Sequence, residues 1–120
     1  MNLNKISNFF TSPIDNDLES VPVQSIVKSI VYADSKITNT SQLIGKYMLN
    51  GHEKFIEYLK KILMQIETNK SIKYYEFKID KNLYKEIEVL AFVLGMKSYL
   101  MTGNNPPQDF LKRYNELIID

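Results

Sequence analysis

Apolar side chains recur at helical spacing through most of this chain, and the longest such pattern lies between Lys81 and Thr102. Two adjacent apolar stripes run along this segment, and a helix that is apolar on two sides has to be buried on two sides. The first stripe holds Leu83, Ile87, Leu90, Leu94 and Met101, and the second holds Val89, Phe92, Met96 and Tyr99. Asp80 is placed to cap the start of the helix, and Gly103 is placed to end it. The pattern predicts a central buried helix.

A membrane-spanning helix is the competing interpretation of this segment. Its uninterrupted apolar run, Val89 to Met96, is flanked by Glu88 and Lys97 and is much shorter than the roughly 20 residues that a bilayer requires. We therefore expect the helix to lie in the core of a soluble domain, without a membrane partner.

Two shorter amphipathic helices are expected before it. The first begins at Ser20 and Pro22, because proline suits the first turn of a helix, and runs to about Asp34. Its β-branched residues leave a strand as the alternative, but the spacing of three and four favours a helix. The second follows a polar loop, in which Thr40 or Ser41 is available as the cap. The apolar positions are Val23, Ile26, Val27, Ile30 and Val31 in the first helix and Leu43, Ile44, Tyr47 and Met48 in the second.

The clearest amphipathic pattern runs from His52 to Glu67, after a break at Asn50-Gly51. Its inward positions are Phe55, Ile56, Leu59, Ile62, Leu63 and Ile66. The last helix begins near Pro107, where proline again suits the first turn. Its inward positions are Phe110, Leu111, Tyr114, Leu117 and Ile118. Asn69 to Ile79 alternates with the two-residue period of an extended segment, so we expect a connector there or one arm of a small hairpin.

Together these patterns predict an all-α, single-domain bundle of about five helices around a central buried helix, with one extended connector. A chain of 120 residues fits one hydrophobic core. Residues 1–20 are polar and interrupted by Pro13, which indicates an N-terminal arm that docks through Phe9 and Phe10 or, alternatively, a disordered tail. Residues 21–120 are then the helical domain.

The charge balance gives the molecule no electrostatic bias toward nucleic acid, anionic lipid or acidic substrates, because 15 Lys and Arg face 14 Asp and Glu. The chain has no cysteine, which excludes disulfides, thiolate nucleophiles and cysteine metal sites. The first twenty residues lack the apolar run of a signal peptide. We therefore expect a cytoplasmic protein.

The single histidine, His52, is the main candidate for catalysis or metal binding. The zinc-hydrolase pattern H-E-x-x-H would require a second histidine at Ile56. A metal site of His52, Glu53 and Glu57 is disfavoured because adjacent helix positions point in different directions. A solvated first turn, in which acidic side chains complement the helix dipole, is the preferred interpretation.

Glu86 and Glu88 lie about half a helical turn apart, so they cannot act as a facing pair of carboxylates. We expect them to be solvated or paired with Lys81 or Lys85. The chain contains no nucleophile elbow and no glycine-rich phosphate loop. Neither enzymatic activity nor a cofactor is expected.

The segment from Lys70 to Lys85 combines lysines with aromatic rings. The lysines are Lys70, Lys73, Lys78, Lys81 and Lys85, and the rings are Tyr74, Tyr75, Phe77 and Tyr84. Such a combination binds single-stranded nucleic acid in some proteins. It is also consistent with core aromatics on a soluble connector, or with a protein interface, where tyrosine is favoured.

Three stretches carry a resemblance to a known family: Val21 to Ala33, Tyr47 to Leu63, and Tyr75 to Gly103. Over them the chain resembles the small helical immunity proteins of type VI secretion systems that neutralise NAD(P)-degrading effectors. It departs from that family in a longer loop at 34–41 and in a surface richer in lysine than in arginine. Since an immunity surface has to match its own toxin, these departures affect the identity of the toxin more than the fold.

The resemblance implies inhibition without chemistry, by docking onto the catalytic domain of a cognate toxin and covering its substrate cleft. On this view Tyr74, Tyr75 and Glu76 contact the toxin, and Glu53 and Glu57 offer carboxylates to a basic nucleotide pocket. The alternative is a helical nucleic-acid-binding regulator that uses the segment from Lys70 to Lys85. The salt dependence of binding distinguishes these two functions. Counterion release makes the affinity for nucleic acid fall steeply as salt concentration rises, whereas a toxin complex should lose mainly association rate.

Overall fold

The fold is all-α over the part of the chain that a computed structural model describes, residues 3–14, 17–68 and 81–119. Six α-helices and no strand are formed by these residues. The helices are α1 (Leu3–Thr11), α2 (Gln24–Ala33), α3 (Thr40–Asn50), α4 (His52–Thr68), α5 (Lys81–Thr102) and α6 (Gln108–Tyr114). A 3₁₀ turn, Leu18–Ser20, precedes α2, and a π-helical turn, Asn115–Ile119, continues α6. The predicted all-α class is confirmed.

Helix α5 is the central element, as the sequence predicts, and it contacts α1, α2, α3, α4 and α6. Every residue from Val89 to Leu94 is buried, so the middle of the helix is covered around its whole circumference. Gly103 ends it at φ 72°, and the N–H of Asn104 donates to the carbonyl of Tyr99, which is a Schellman end. No helix in the described ranges has the length and apolarity to cross a bilayer.

The C-terminal turn of α5 is more exposed than the predicted apolar stripe implies. Met101 belongs to the stripe by spacing, but it is 44% exposed. It lies in the last turn of the helix, and the buried part of α5 lies further toward its start. Helical periodicity specifies a face of a helix and does not specify how far along that face the neighbouring helices extend.

The start of α2 also differs from the prediction. The helix begins at Gln24, and Val23 precedes it in the left-handed conformation, with φ 65° and ψ 58°. This conformation is uncommon for a β-branched residue. The side-chain amide of Gln24 donates to the carbonyls of Leu18 and Val21, so it ties the helix start to the preceding turn. Val31, predicted to face the core, is 45% exposed.

The cap of α3 is Asn39, whose side-chain oxygen accepts from the N–H of Gln42 at 2.8 Å. The predicted caps, Thr40 and Ser41, are therefore wrong. Thr40 is buried, and its hydroxyl donates to the carbonyl of Asp17 at 2.9 Å. The buried hydroxyl thus connects the start of α3 to the segment before α2.

Helices α3 and α4 are separated by Gly51, at φ 84°, which confirms the predicted break. The inner face of α4 is buried as predicted at Phe55, Leu59, Ile62, Leu63 and Ile66. Ile56 is half-buried. Tyr58 of α4 donates a hydrogen bond from its hydroxyl to the carboxylate of Asp34, which follows α2, at 2.7 Å. This bond lowers the pKa of the Asp34 carboxyl. The Lys46 ammonium lies 4.7 Å from the centre of the Tyr58 ring.

The N-terminal segment forms a docked helix, which excludes a disordered tail for the described residues 3–14. Ile6 and Phe9 of α1 are buried, and Phe10 packs partly against the core. Docking through the two phenylalanines is therefore confirmed, although the sequence pattern did not predict the helix itself. The boundary at residue 20 between an arm and a domain stays a prediction.

Helix α6 packs on the outer part of α5 through Phe110, whose ring centre is 4.8 Å from that of Phe92 and 5.2 Å from that of Tyr99. Gly95 makes this approach possible. A Cβ atom at Gly95 would lie 2.5 Å from the Tyr47 hydroxyl oxygen and 2.9 Å from two carbons of the Phe110 ring. Glycine is thus required at position 95 by packing.

A matched pair of glycine substitutions tests this packing. Gly95→Ala is expected to lower the free energy of unfolding by about 1–3 kcal/mol, because neighbouring rings must move. Gly45→Ala, in the middle of α3, is expected to raise it by up to about 1 kcal/mol, because a Cβ there meets nothing within 4 Å and alanine favours the helix. Urea denaturation measures both. Equal effects of the two substitutions would contradict the packing role of Gly95.

Candidate functional site

Two of the predicted site residues, Glu53 and Glu57, lie side by side on the outer face of α4, and both are exposed. Their spacing of four residues places them one above the other on the helix. Neither carboxylate forms an ion pair with any residue that the structure describes. The same face continues toward the end of the helix with Lys60, Met64 and Glu67. We call these five residues the α4 outer face.

The other three predicted site residues, Tyr74, Tyr75 and Glu76, lie outside the described residues, and so do the predicted connector, Asn69 to Ile79, and the predicted cap, Asp80. The structure therefore does not test whether they adjoin the α4 outer face. From the lysine-rich and tyrosine-rich segment, the described side chains are those of Asn82 to Lys85. Among them Tyr84 is 36% exposed and Lys85 is exposed.

A second exposed surface lies on α3, immediately before the break that leads into α4. Its last turn carries Met48, 51% exposed, and Leu49, 85% exposed. Gly45, one turn earlier, is also exposed, and a Cβ there would meet nothing within 4 Å. We call Gly45, Met48 and Leu49 the α3 outer face. Glycine in a helix interior costs about 0.5–1 kcal/mol relative to alanine, and no contact within the described molecule requires it at position 45.

The α3 outer face was missed by the sequence analysis, which placed Met48 in the core. A signal was present in the pattern, since Leu43, Ile44 and Tyr47 already complete one buried stripe. Leu49 lies on the opposite side of the helix from that stripe. Apolar residues outside a complete stripe are candidates for an exposed binding surface.

His52 is half-buried among aromatic rings, so the predicted solvated first turn is wrong for this residue. Its ring centre lies 4.4 Å from that of Phe92 and 5.8 Å from that of Phe110, both in edge-to-face geometry. The hydroxyl of Tyr47 is 2.7 Å from His52 Nδ1. The helix dipole argument holds for its neighbour, Glu53, which is exposed in the first turn of α4.

The electrostatics of this cluster favour neutral side chains. Burial lowers the pKa of His52, while the carboxylates of Glu88 and Glu53 act against that shift. Burial also raises the pKa of Tyr47, and its interaction with Tyr99 adds to the rise. Nδ1 of a neutral His52 and the Tyr47 hydroxyl share a hydrogen bond, whose donor is set by the imidazole tautomer. The cluster therefore has a packing role, with a buried hydrogen bond that holds the start of α4 against α3.

The two carboxylates of α5 have partners that the sequence analysis did not identify. Glu86 accepts a short hydrogen bond from the hydroxyl of Ser25 on α2. Glu88 forms a bidentate ion pair with Arg113, with Nε to Oε1 at 2.8 Å and Nη2 to Oε2 at 3.0 Å. Lys85, one of the two predicted lysine partners, forms no ion pair with either glutamate, and the side chain of Lys81 lies outside the described part of the structure. The observed partners lie on other helices, and local spacing does not reveal proximity across helices. These carboxylates connect α5 to α2 and α6.

Within the described ranges, no group of three or more histidine, aspartate or glutamate side chains is arranged to hold a metal ion. Glu53 and Glu57 lie on the outer face of α4, while His52 points into the aromatic cluster. The structure thus separates the histidine from the two carboxylates that follow it.

Comparison with known proteins gives no relative: no family model matches this chain, and no curated protein or solved structure is similar to it. The resemblance to immunity proteins therefore stays a prediction from the sequence.

The environment of His52 predicts a specific pH dependence. Because its pKa is lowered in the folded state, the unfolded chain takes up the proton first as pH falls. The contribution of the neutral ring is fully present above the unfolded pKa of about 6.5 and is lost as pH falls below it. The loss has a slope of at most about 1.4 kcal/mol per pH unit, because one group titrates.

Two measurements check this expectation. The His52→Asn variant keeps an acceptor near Tyr47 and is expected to lose this part of the pH dependence in denaturation curves between pH 5 and 8. The NMR titration of the ring protons of the single histidine reports its pKa directly. A folded-state pKa at or above 6.5 would contradict the burial argument.

Proposed function

We propose that the protein is an immunity-type inhibitor, which binds a secreted bacterial toxin in the cytoplasm and covers the active site of the toxin. The partner is the catalytic domain of the toxin, and an NAD(P)-degrading or other nucleotide-targeting enzyme is the class that the sequence resemblance implies. On this proposal the chain carries out no chemistry and needs no cofactor. Its function depends on the shape and charge of its exterior.

One observation supports a binding role most directly: an exposed leucine and two exposed carboxylates on α3 and α4 form no ion pair or core contact among the described residues. Leu49 is 85% exposed, and Glu53 and Glu57 have no ion-pair partner among the described residues. Apolar anchors surrounded by charged groups are the usual composition of a protein interface. The two helices that carry these faces follow one another along the chain, separated by Gly51.

The charges on these faces indicate what the partner must offer. Two neighbouring carboxylates at the start of α4 favour a partner surface rich in Lys or Arg, and Leu49 requires an apolar recess beside it. An enzyme that binds the phosphates of a nucleotide has such a basic cleft. Glu53 and Glu57 would compete for the positive groups that the substrate uses. This competition explains how a domain without catalytic residues could stop a reaction.

Charge reversal on the α4 outer face tests the proposal. The partner is sought as the product of the neighbouring reading frame and is co-expressed with this chain. Glu53→Lys together with Glu57→Lys is expected to weaken the complex at least about tenfold and to abolish protection, because the new charges repel a basic cleft. The control reverses two exposed acidic residues on other elements, Glu19→Lys with Asp109→Lys, and is expected to keep both binding and protection.

The outcome decides between several functions. Death of cells that contain abundant folded wild-type protein would contradict immunity to that neighbour. Protection by the Glu53 and Glu57 variant would exclude the α4 outer face as the binding site. Binding to nucleic acid that falls steeply with salt, without toxin binding, would support the regulator that the sequence left as an alternative.

The apolar anchor is tested separately. Leu49→Ala is expected to weaken the toxin complex by about 1–2 kcal/mol, because it removes an anchor from the interface. It is expected to leave the free energy of unfolding within about 0.5 kcal/mol of wild type, because the side chain contributes little to the core. The control is Ile119→Ala, which truncates another exposed apolar residue, 56% exposed, outside both faces. Isothermal titration calorimetry measures the affinities, and equal losses for the two variants would exclude Leu49 as an anchor.

A further inference from the structure

Lys97 of α5 is a buried cation whose hydrogen-bond partners all belong to another segment. The residue is 3% exposed. Its ammonium donates to the carbonyl of Phe9 at 2.7 Å, to that of Phe10 at 3.3 Å and to that of Ser12 through a short bond. No carboxylate among the described residues pairs with it. Lys97 therefore binds the carbonyl end of α1.

This arrangement offsets a large desolvation cost. Burial lowers the pKa of Lys97, because the ammonium loses its contact with water. The last carbonyls of a helix have no partners within the helix, and the negative end of the helix dipole favours a cation there. The carbonyls at the end of α1 accept hydrogen bonds from the Lys97 ammonium, so the hydrogen-bonding groups of both are satisfied. When α1 leaves, the ammonium loses these three acceptors and has to be solvated by water instead.

Besides the hydrogen bonds of Lys97, α1 packs mainly on α5, and the centre of its Phe10 ring also lies 6.4 Å from that of Tyr114. Ile6 and Phe9, three residues apart, are its buried side chains, and α5 is its principal neighbour. The Phe9 ring also lies 5.3 Å from the Lys97 ammonium. A cavity of about 230 Å³ lies beside α1, between Phe9 and Thr40, so the helix is not tightly enclosed on that side. We call the surface of α5 that receives Ile6, Phe9 and the end of α1 the Lys97 groove.

We propose that the Lys97 groove is a helix-binding site that α1 occupies as an exchangeable ligand, so that the α1 segment of a second copy can replace it. The groove recognises two features together, an apolar pair spaced by three residues and a free carbonyl end. The α1 segment of any copy carries both features. In the single chain the linker holds α1 at a high effective concentration, so the intramolecular contact predominates until it is weakened.

Hydrogen exchange of the full chain tests whether α1 opens as a unit. We expect the helical amides of α1 to be protected at least about tenfold less than those in the middle of α5, because they exchange through a local opening. Lys97→Met is expected to reduce protection in α1 by a further factor of about ten and to change that of α4 little. The control is Lys61→Met, which removes an exposed charge. Exchange of α1 only together with α5, or an equal loss in all helices, would overturn the proposal.

Binding of a peptide tests the exchange itself. The probe is a labelled, amidated peptide of residues 3–12, which is added to full-length protein and followed by fluorescence anisotropy. Phe9→Ala in the protein weakens its own α1, so we expect this variant to bind the peptide at least about tenfold more tightly than wild type does. Adding Lys97→Met to that variant is expected to remove the gain, and so is Phe9→Ala in the peptide.

Each remaining outcome of the peptide experiment decides against the proposal. Equal binding to wild type and to the Phe9→Ala protein would show that the peptide does not use the groove. If the Phe9→Ala protein binds the peptide equally well with and without Lys97→Met, Lys97 does not recognise the carbonyl end of the helix. Global unfolding of the Phe9→Ala protein, detected by circular dichroism, would show that α1 is an integral part of the core and cannot be exchanged.

Discussion

The structure depends on the burial of α5 on all sides. Six consecutive residues, Val89 to Leu94, are buried, and consecutive residues of a helix point in all directions around its axis. A helix of this kind has no solvent-facing side, so it is stable only when other elements surround it. The helices α1, α2, α3, α4 and α6 do so, and each has one apolar face toward α5 and one polar face toward water. The outer surface of the molecule is therefore formed mainly by these surrounding helices.

Hydrophobic burial does not by itself determine where each surrounding helix lies, because apolar contact is not directional. Individual residues of α5 determine these positions, through close packing, hydrogen bonds or an ion pair with one particular neighbouring helix. Gly95 allows the Phe110 ring of α6 and the Tyr47 hydroxyl to approach the backbone, and Lys97 binds the end of α1. Glu86 binds Ser25 of α2. The ion pair of Glu88 with Arg113 is largely exposed, and such pairs contribute little, so the packing at Gly95 is the stronger constraint on α6.

Local pattern was sufficient to predict the central helix, and tertiary contacts explain most of the differences. The bounds of α5 and its end at Gly103 follow from periodicity and from a left-handed glycine, both of which are properties of a short segment. Helix α1 was not predicted, and its partners, which include Lys97 of α5, are distant from it in the sequence. The burial of His52 likewise depends on Phe92 and Phe110. Of the predicted site, Glu53 and Glu57 could be placed on one exposed face from their spacing alone, whereas Leu49 was missed because exposed leucines do not contribute to a core pattern.

Gly45 and Leu49 of α3 favour the proposed binding function, because the fold does not explain either residue. The buried side chains of the described helices form the core or connect the helices to one another. Gly45 weakens its own helix and makes no close contact, and Leu49, beside it on α3, exposes 85% of its surface. Neither residue contributes to the described core. Glycine allows another backbone to approach closely, and leucine releases water when an apolar surface covers it, so both residues would be favourable in the proposed complex. The carboxylates of Glu53 and Glu57 on the adjoining helix then add the charge selectivity that an apolar contact lacks.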